Sequence, residues 1–159
     1  GRMRSRARST IGRTGCGVGM KVELVTDAGG VPIGVTTDAA NVPETVLAGV
    51  ALAGIPAVVP VPAGVPVVAD RGYDSDPLRE QLAADGFILV APHRRNRRRP
   101  RTADGRRLRR YKRRWKVERS FAWLHSYRRV VTRFERRVDL YDGFVHLACA
   151  FMALNRLVK

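Results

Sequence analysis

Two acidic side chains stand where metal-dependent cleavage of a phosphodiester could use them. Asp70 follows the short apolar run from Pro66 to Ala69, and Glu118 is a lone acid among arginines and lysines. Mg²⁺ takes carboxylate oxygens as ligands, and paired Mg²⁺ ions can activate the attacking oxygen and stabilise the leaving one. A carboxylate that ends a strand and another on a crossing helix could converge on such ions. Asp70 and Glu118 are therefore the predicted catalytic and metal-ligating pair, with Mg²⁺ or Mn²⁺ as the cofactor.

Both acids also have simpler explanations. Asp70 could cap the turn into the next helix, and Gly72 suits a tight turn in either case. Glu118 could form an ion pair with Arg114, four residues earlier on the same helix face. The residue pattern leaves both alternatives open.

Further polar residues share the predicted face of Glu118. Tyr111, Arg114, Glu118 and His125 follow one another at offsets of 3, 4 and 7 residues. Because these offsets return to the same side of an α-helix, the four side chains are predicted to line one face. Cations on this face could hold phosphates beside a metal-binding carboxylate.

The positive charge of the chain is concentrated in one block. The whole chain carries 30 Lys and Arg against 14 Asp and Glu, a formal net charge of +16. Residues 93–137 hold twenty bases and three acids, a net of +17, whereas residues 14–92 hold three bases and nine acids, a net of −6. Such a block favours nucleic acid, because each phosphate contact releases counterions. The predicted phosphate-binding residues of its first loop are Arg94, Arg95, Arg97, Arg98, Arg99 and Arg101.

Periodicity and turn residues predict an α/β layer arrangement. Alternating apolar and polar residues on both sides of Asp27–Gly30 indicate a hairpin. The predicted elements are strands at 21–26 and 31–37, a helix from 41–44 to about 53, a strand at 66–69, a helix at 76–85, a strand at 87–91, and helices at 106–127 and 138–158. Residues 1–19 are predicted to be a flexible basic arm, and residues 20–159 one domain. The last helix has a wide apolar face, which indicates a packed core helix.

Four motifs carry a resemblance to a known family. They are A-D-R-G-Y-D-S-D at 69–76, Y-(2)-R-(3)-E at 111–118, W-K-V-E-R-S-F-A-W-L at 115–124 and R-R-V-V-T-R-F-E-R at 128–136. In this combination the chain resembles bacterial insertion-sequence transposases with an RNase H-like DDE domain, and more narrowly their IS-four/IS-five type group. The similarity runs from about Met20 to the C-terminus.

The resemblance implies an α/β, RNase H-like fold and a DNA transposition activity. It matches Asp70 to the second catalytic Asp and Glu118 to the catalytic Glu, with Mg²⁺ or Mn²⁺ as the metal. Tyr111 and Arg114 match the positions of a signature whose cations contact DNA, and His125 stands where that signature has Lys. Double-stranded DNA at the element's ends and at the target, and a second copy of the chain, are the implied partners. The implied location is the cytoplasm, in association with the nucleoid.

One part of the family pattern has no counterpart here. The first catalytic Asp is expected on a strand before the hairpin, and no aspartate precedes Asp27, which suits the hairpin turn. We therefore expect an N-terminally truncated copy that lacks its first strand and is inactive alone.

Two other classes of protein would also explain parts of this sequence. A non-catalytic basic protein that binds nucleic acid would explain the charge, and another RNase H-like nuclease, such as a resolvase, would explain the acids. A membrane partner is not expected, because no uncharged stretch free of prolines is long enough to span a bilayer.

Overall fold

A computed structural model of the protein describes residues 11–15, 17–102 and 105–158. Strand β1 spans Gly12–Thr14 and β2 spans Gly17–Thr26. The predicted arm therefore ends earlier than expected, because its residues 12–14 and 17–19 pair with each other as antiparallel strands. Backbone hydrogen bonds form such a pair without any apolar periodicity, so the residue pattern does not indicate it. The remainder of that arm, residues 1–10, lies outside the described residues.

The predicted hairpin is confirmed. Strand β3 spans Pro32–Ala39 and pairs antiparallel with β2 in a register that places Leu24 opposite Val35. Asp27 closes the turn, since its carboxylate accepts hydrogen bonds of 2.8 Å from the N–H groups of both Gly29 and Val31. Gly30 follows with a φ of 87°, a conformation that glycine adopts without strain.

The following helices and strands also confirm the predicted order. Helix α1 spans Glu44–Ala53, β4 spans Val65–Val68, α2 spans Asp76–Ala84 and β5 spans Phe87–Val90. Ser75 caps α2 by accepting from the N–H of Leu78, and Gly86, with a φ of 81°, ends it. Helix α2 is the crossover connection that makes β4 and β5 parallel.

The single helix predicted over residues 106–127 is wrong. The structure has a helical turn α3 at Gly105–Leu108, a 3₁₀ segment at Arg109–Arg113, helix α4 at Trp115–Leu124 and a short helix α5 at Arg128–Val131. Residues 109–114 read R-R-Y-K-R-R, and like charges one turn apart destabilise an α-helix. That stretch also offers little apolar surface for the rest of the domain to hold.

Two hydrophobic clusters lie on opposite faces of the hairpin. Leu24 of β2 packs with buried residues of α4, α5 and the last helix α6, Val138–Leu157. The adjacent residue Val25 packs on the second cluster, which α1, α2 and the β4–β5 pair build. Successive residues of a strand point to opposite faces, so the β2–β3 hairpin is the layer between the two clusters. No helix in the part of the chain that the structure describes has the length and apolar character of a membrane span.

Helix α6 departs from its prediction on one side. Tyr141, Val145, Ala148 and Met152 are buried as expected. Leu147, Phe151 and Leu154, predicted to be part of the same packed face, are 50%, 47% and 52% exposed. The described residues therefore cover only one of the two apolar stripes of this helix.

Leu124 offers a test of the first cluster, because it is fully buried between α4 and the hairpin. Leu124→Ala should lower the free energy of unfolding by about 2–5 kcal/mol, since it removes buried methyl groups and leaves a cavity. Urea titration followed by circular dichroism measures this change. Val50→Ala is the control, because Val50 is 53% exposed and should cost well under half as much. Equal losses in the two variants would contradict the packing described.

Candidate functional site

Asp70 follows β4 at the edge of the parallel pair. Its carboxylate accepts a 2.6 Å hydrogen bond from the N–H of Gly72 and so caps the 3₁₀ turn Arg71–Tyr73. A side chain on Gly72 would collide with two carboxylates, because its Cβ would lie 2.8 Å from Asp70 Oδ1 and 2.9 Å from Glu44 Oε2. Glycine at this position therefore allows the two acids to approach the same turn.

Glu23 is an acid of this region that sequence reasoning missed. The hydroxyl of Tyr73 donates to its carboxylate, with its oxygen 2.7 and 2.8 Å from the two carboxylate oxygens. Burial raises the pKa of Glu23 to about 7, and the negative charges of Glu44 and Asp70 add to the rise, while the Tyr73 hydrogen bond opposes it. Burial and the neighbouring Glu23 also raise the pKa of Tyr73. The alternation of β2 does not indicate this bond, which forms because the fold brings Tyr73 against the strand.

Lys21 balances part of this negative charge. Its ammonium group lies 3.5 Å from a carboxylate oxygen of Glu44 and donates to the carbonyl of Val42. Lys21 and Glu23 are two residues apart on β2, so they share one face of the hairpin. The face that carries Glu23, Glu44 and Asp70 is thus acidic and only partly neutralised.

Glu118 lies near the start of α4, at the protein surface. Its carboxylate is 53% exposed and pairs with the guanidinium of Arg114 at 2.5 Å. Arg114 in turn stacks over the ring of Tyr111, 5.5 Å from its centroid. The structure therefore brings Tyr111, Arg114 and Glu118 together although the helix is broken between them. His125 is separate and follows the end of α4, where its ring packs at a tilt on Phe121.

Helix α4 is fastened to the turn of the hairpin. The buried hydroxyl of Ser120 lies 2.6 Å from the carbonyl oxygen of Gly30, and the guanidinium of Arg119 donates to the carbonyl of Gly29 at 3.1 Å. Lys116 donates to the carbonyl of Ala28. These contacts fix the helix that carries Glu118 against the end of β2.

Asp70 and Glu118 are held by different neighbours. Asp70 lies beside Tyr73 and Glu23, on the face of the hairpin that packs on the second cluster. Helix α4 packs on the other face through Leu124 and Phe121. The hydrogen bonds and ion pairs of the described residues do not join the two acids, so their convergence on shared metal ions stays a prediction.

In the basic loop, residues 93–102, some arginines are bound to acids of the protein and others are exposed. Arg97 is bound to Asp74 at 3.3 Å and to Asp76 at 2.7 Å, and its side chain is 10% exposed. Its predicted contact with a phosphate would require these ion pairs to break. Arg94 and Arg99 combine exposed positions with bonds to the protein. The loop arginines at exposed positions are Arg94, Arg95, Arg98, Arg99 and Arg101.

Asp74 is a buried acid at the base of the basic loop that the sequence did not single out. Burial alone raises its pKa, but the N–H of Arg94, the guanidinium of Arg79 and the ring of His93 together lower the pKa of Asp74 to about 2. The carboxylate is therefore ionised throughout the physiological range. A cavity of about 380 Å³ opens beside it, lined by the start of α2 and by Arg94, Arg97, Arg98 and Arg99.

Comparison with known proteins places this arrangement in a family. Residues 10–153 match the family described as the Transposase DDE domain. The chain belongs to this family. A Burkholderia cepacia protein named as a transposase for insertion sequence element IS402 is 38% identical over 144 residues, which is 87% of this chain and 64% of that protein. A Brucella ovis protein named as a transposase for insertion sequence element IS6501 is 34% identical over 139 residues, which is 85% of this chain and 98% of its own. No solved structure gives a significant match.

The Transposase DDE family is one in which binding of DNA and of divalent metal is typical. Carboxylate oxygens of the kind offered by Asp70 and Glu118 suit Mg²⁺. Within residues 11–15, 17–102 and 105–158, no three acidic, histidine or cysteine side chains are grouped so that they could hold a metal ion. The described residues thus offer individual ligands of the right chemistry rather than an assembled site.

The raised pKa of Glu23 predicts a pH dependence of stability. Between pH about 4.5 and about 7 the folded protein keeps a proton on Glu23 that the unfolded chain has lost. Because the folded state binds more protons, this contribution to stability is fully present below about pH 4.5 and is lost as the pH rises through 7. Urea unfolding at a series of pH values should show the decline in the wild type and a flatter profile in Glu23→Gln.

Glu80→Gln is the matched control, because Glu80 is an exposed acid on α2. It should retain the wild-type profile. A Glu23→Gln profile that parallels the wild type between about pH 5 and about pH 8 would show that Glu23 titrates normally in the folded protein.

Proposed function

We propose that this chain forms part of the catalytic domain of an insertion-sequence transposase, which cleaves DNA at the ends of its element and joins a 3′-hydroxyl to target DNA. The observation that carries the proposal is the family match over residues 10–153, which contains both Asp70 and Glu118. The two relatives, each named as an insertion-sequence transposase, support it. The motif combination at 69–76 and 111–136 favours the IS-four/IS-five type group. Such an enzyme would work on DNA in the cytoplasm, at the nucleoid.

An RNase H-like fold is part of this proposal. The described strands form a three-stranded sheet of β1, β2 and β3 and a separate parallel pair of β4 and β5. The Tyr73–Glu23 hydrogen bond connects the two sheets across the molecule.

Asp70 and Glu118 are the proposed ligands of Mg²⁺ or Mn²⁺. When bound, the metal would activate the attacking oxygen and stabilise the leaving one. Asp70 accepts from the Gly72 N–H through Oδ1, and Glu118 contacts Arg114 through Oε1. These contacts therefore use one oxygen of each carboxylate. Two ligands are few for such a centre, so we propose that this chain alone does not cleave DNA.

The exposed arginines of the basic loop and Arg114 are the proposed contacts to DNA phosphates. They belong to the block of residues 93–137, whose net charge is +17. Tyr111 holds Arg114 by stacking on it. His125 lies after α4, apart from the Arg114 pair, and we propose for it a contact at the edge of the same surface.

A non-catalytic nucleic-acid-binding protein is the second candidate. The specific observation in its favour is that local contacts account for both acids, since Asp70 caps a turn and Glu118 pairs with Arg114. This candidate keeps the basic surface but assigns no chemistry to the carboxylates. The two functions differ in how DNA binding responds to metal.

Binding of labelled duplex DNA, measured by fluorescence anisotropy with and without Mg²⁺ at matched ionic strength, separates these candidates. For both candidates the logarithm of the affinity should fall linearly with the logarithm of the salt concentration, with a slope on the order of −0.9 for each neutralised phosphate. The transposase proposal predicts an additional gain in affinity with Mg²⁺ that Asp70→Asn and Glu118→Gln each abolish. A binding protein would show no Mg²⁺ effect in the wild type.

Glu80→Gln serves as the exposed-acid control and should retain any Mg²⁺ effect. A nicking assay with DNA carrying the element's ends completes the experiment. We expect no cleavage by this chain. Mg²⁺-dependent nicking that Asp70→Ala removes would overturn the proposed inactivity, while it would support the catalytic assignment of Asp70.

We also propose that two copies associate through α6. Its uncovered apolar side chains follow one another at intervals of 4, 3, 4, 3 and 4 residues, the spacing of a helix that packs on another helix. They are Leu140, Phe144, Leu147, Phe151 and Leu154 of α6, together with Val158, which follows its last residue. Phe144 is half-buried and the other five are between 47% and 79% exposed. The stripe is about 27 Å long at 1.5 Å per residue.

A second copy of the chain suits this stripe for an electrostatic reason. Residues 138–155 contain Asp139 and Asp142 but no Lys or Arg, so two copies of a strongly basic protein could meet here with little repulsion. An antiparallel pair would also bring the acidic start of one α6 close to Arg156 near the end of the other. Two partly exposed rings lie beside the stripe, because Arg129 stacks on both Phe144 and Phe134, and Arg156 near the end of α6 stacks on Trp123.

Sedimentation velocity tests this proposal. The wild type should sediment as a dimer at high concentration, and Leu147→Asp should sediment as a monomer, because the substitution places a charge in the centre of the apolar stripe. Val50→Asp makes the same kind of change at a residue of similar exposure on α1 and should leave the dimer intact. A monomeric wild type, or a Leu147→Asp variant that remains dimeric, would contradict the assignment.

A further inference from the structure

A buried acid lies beneath the basic loop. The side chain of Asp74 is 1% exposed, and its Oδ1 accepts from Arg79 at 3.0 Å and from Arg97 at 3.3 Å. Its Oδ2 accepts from the N–H of Arg94 at 2.8 Å. One ionised carboxylate thus binds two guanidinium groups and the backbone of the loop. Charge-assisted hydrogen bonds of this kind are stronger than neutral ones.

His93 joins the two ends of the same loop. Its Nδ1 lies 2.9 Å from Asp74 Oδ1, and its Nε2 accepts from the backbone N–H of Thr102 at 3.1 Å. Because Nε2 accepts a hydrogen bond, the ring proton resides on Nδ1 and is donated to Asp74. The imidazole is thus occupied on both sides, and it closes the loop from residue 93 to residue 102.

Other bonds hold the middle of the loop and its base. Asp76 binds Arg97 at 2.7 Å and Arg99 at 3.2 Å. Arg79, besides its bond to Asp74, donates to the carbonyl groups of Leu89 and Ala91, and so connects the loop anchor to the end of β5. The loop is therefore fixed to the parallel strand pair.

We infer that Asp74 and His93 are positioning residues, which hold the basic loop in one shape so that its exposed arginines meet a DNA backbone without first being ordered. The inference rests on the proposed function and names a device that strengthens it. A loop ordered before binding loses less conformational entropy when it meets its ligand. A buried negative charge would then increase the affinity for a polyanion.

The direction in which DNA affinity changes distinguishes this positioning role from a simple effect of net charge. Removing an acid raises the net charge by one, and in a simple charge model Asp74→Asn would bind DNA more tightly. The positioning role predicts the opposite. Loss of the ionic hydrogen bonds should weaken binding to duplex DNA by roughly tenfold, the equivalent of about one such bond.

The experiment compares Asp74→Asn with Asp85→Asn in the full chain. Asp85 is an exposed acid at the end of α2, so its substitution makes the same change in charge without touching the loop. We expect Asp85→Asn to bind DNA as tightly as the wild type or more tightly. An Asp74→Asn protein that remains folded by circular dichroism and binds at least as tightly as Asp85→Asn would overturn the inference.

Limited trypsin digestion provides a readout that does not depend on DNA. Trypsin cleaves after arginine, so mass spectrometry of early fragments reports how often residues 94–101 open. Cleavage there should be roughly tenfold faster in Asp74→Asn than in Asp85→Asn, because the free energy of local opening falls with the lost bonds. Equal rates of cleavage in the two variants would show that Asp74 does not hold the loop closed.

His93→Ala keeps the test decisive if Asp74→Asn fails to fold. It removes the link between Asp74 and Thr102 while it leaves every arginine of the loop in place, and it should also accelerate cleavage and weaken DNA binding. Unchanged cleavage and binding in His93→Ala would overturn the role of that ring. If the wild type shows no salt-dependent DNA binding, the proposed function fails. The trypsin result still decides whether Asp74 and His93 hold the loop in one shape.

Discussion

Compensation of arginine charge is the constraint on which much of this structure depends. Twenty bases within residues 93–137 would repel one another if they were left in a compact domain without partners. Three kinds of partner are visible. Asp74 and Asp76 bind the loop arginines, carbonyl groups of the hairpin turn bind Lys116 and Arg119, and the rings of Trp115 and Trp123 enclose the guanidinium of Arg119. Each partner fixes a basic segment at a particular place on the α/β scaffold.

Features that depend on neighbouring residues could be predicted from the sequence, and those that depend on distant ones could not. The hairpin follows from alternation and from the Asp27 turn, and α2 lies within the predicted bounds, residues 76–85. The break between α3 and α4 is an exception, because like charges one turn apart within residues 109–114 disfavour an α-helix there and an apolar periodicity does not reveal this. The exposed stripe of α6 was not predictable, because the apolar pattern of that helix does not state how much of it the domain covers.

The same distinction holds for the candidate site. Both local alternatives weighed for Asp70 and Glu118, a turn cap and an ion pair with Arg114, are present in the structure. Glu23 and Asp74 escaped notice because their partners are distant in the chain, at Tyr73 for the first and on the basic loop for the second. A buried acid of this kind has no short sequence signal. It becomes visible only when the fold places a hydroxyl or a guanidinium against it.

A structural role for a carboxylate does not oppose a role as a metal ligand. The hydrogen bond from Gly72 involves one oxygen of Asp70 and holds the rotamer, and a side chain with a fixed rotamer loses less entropy when it binds an ion. The hairpin adds a second requirement. Tyr73 ties the turn after Asp70 to Glu23 in the middle of β2, and Ser120 ties α4 to Gly30 at the hairpin turn. Any displacement of β2 would therefore move both acids, so the strand between them would set the geometry of the proposed metal site.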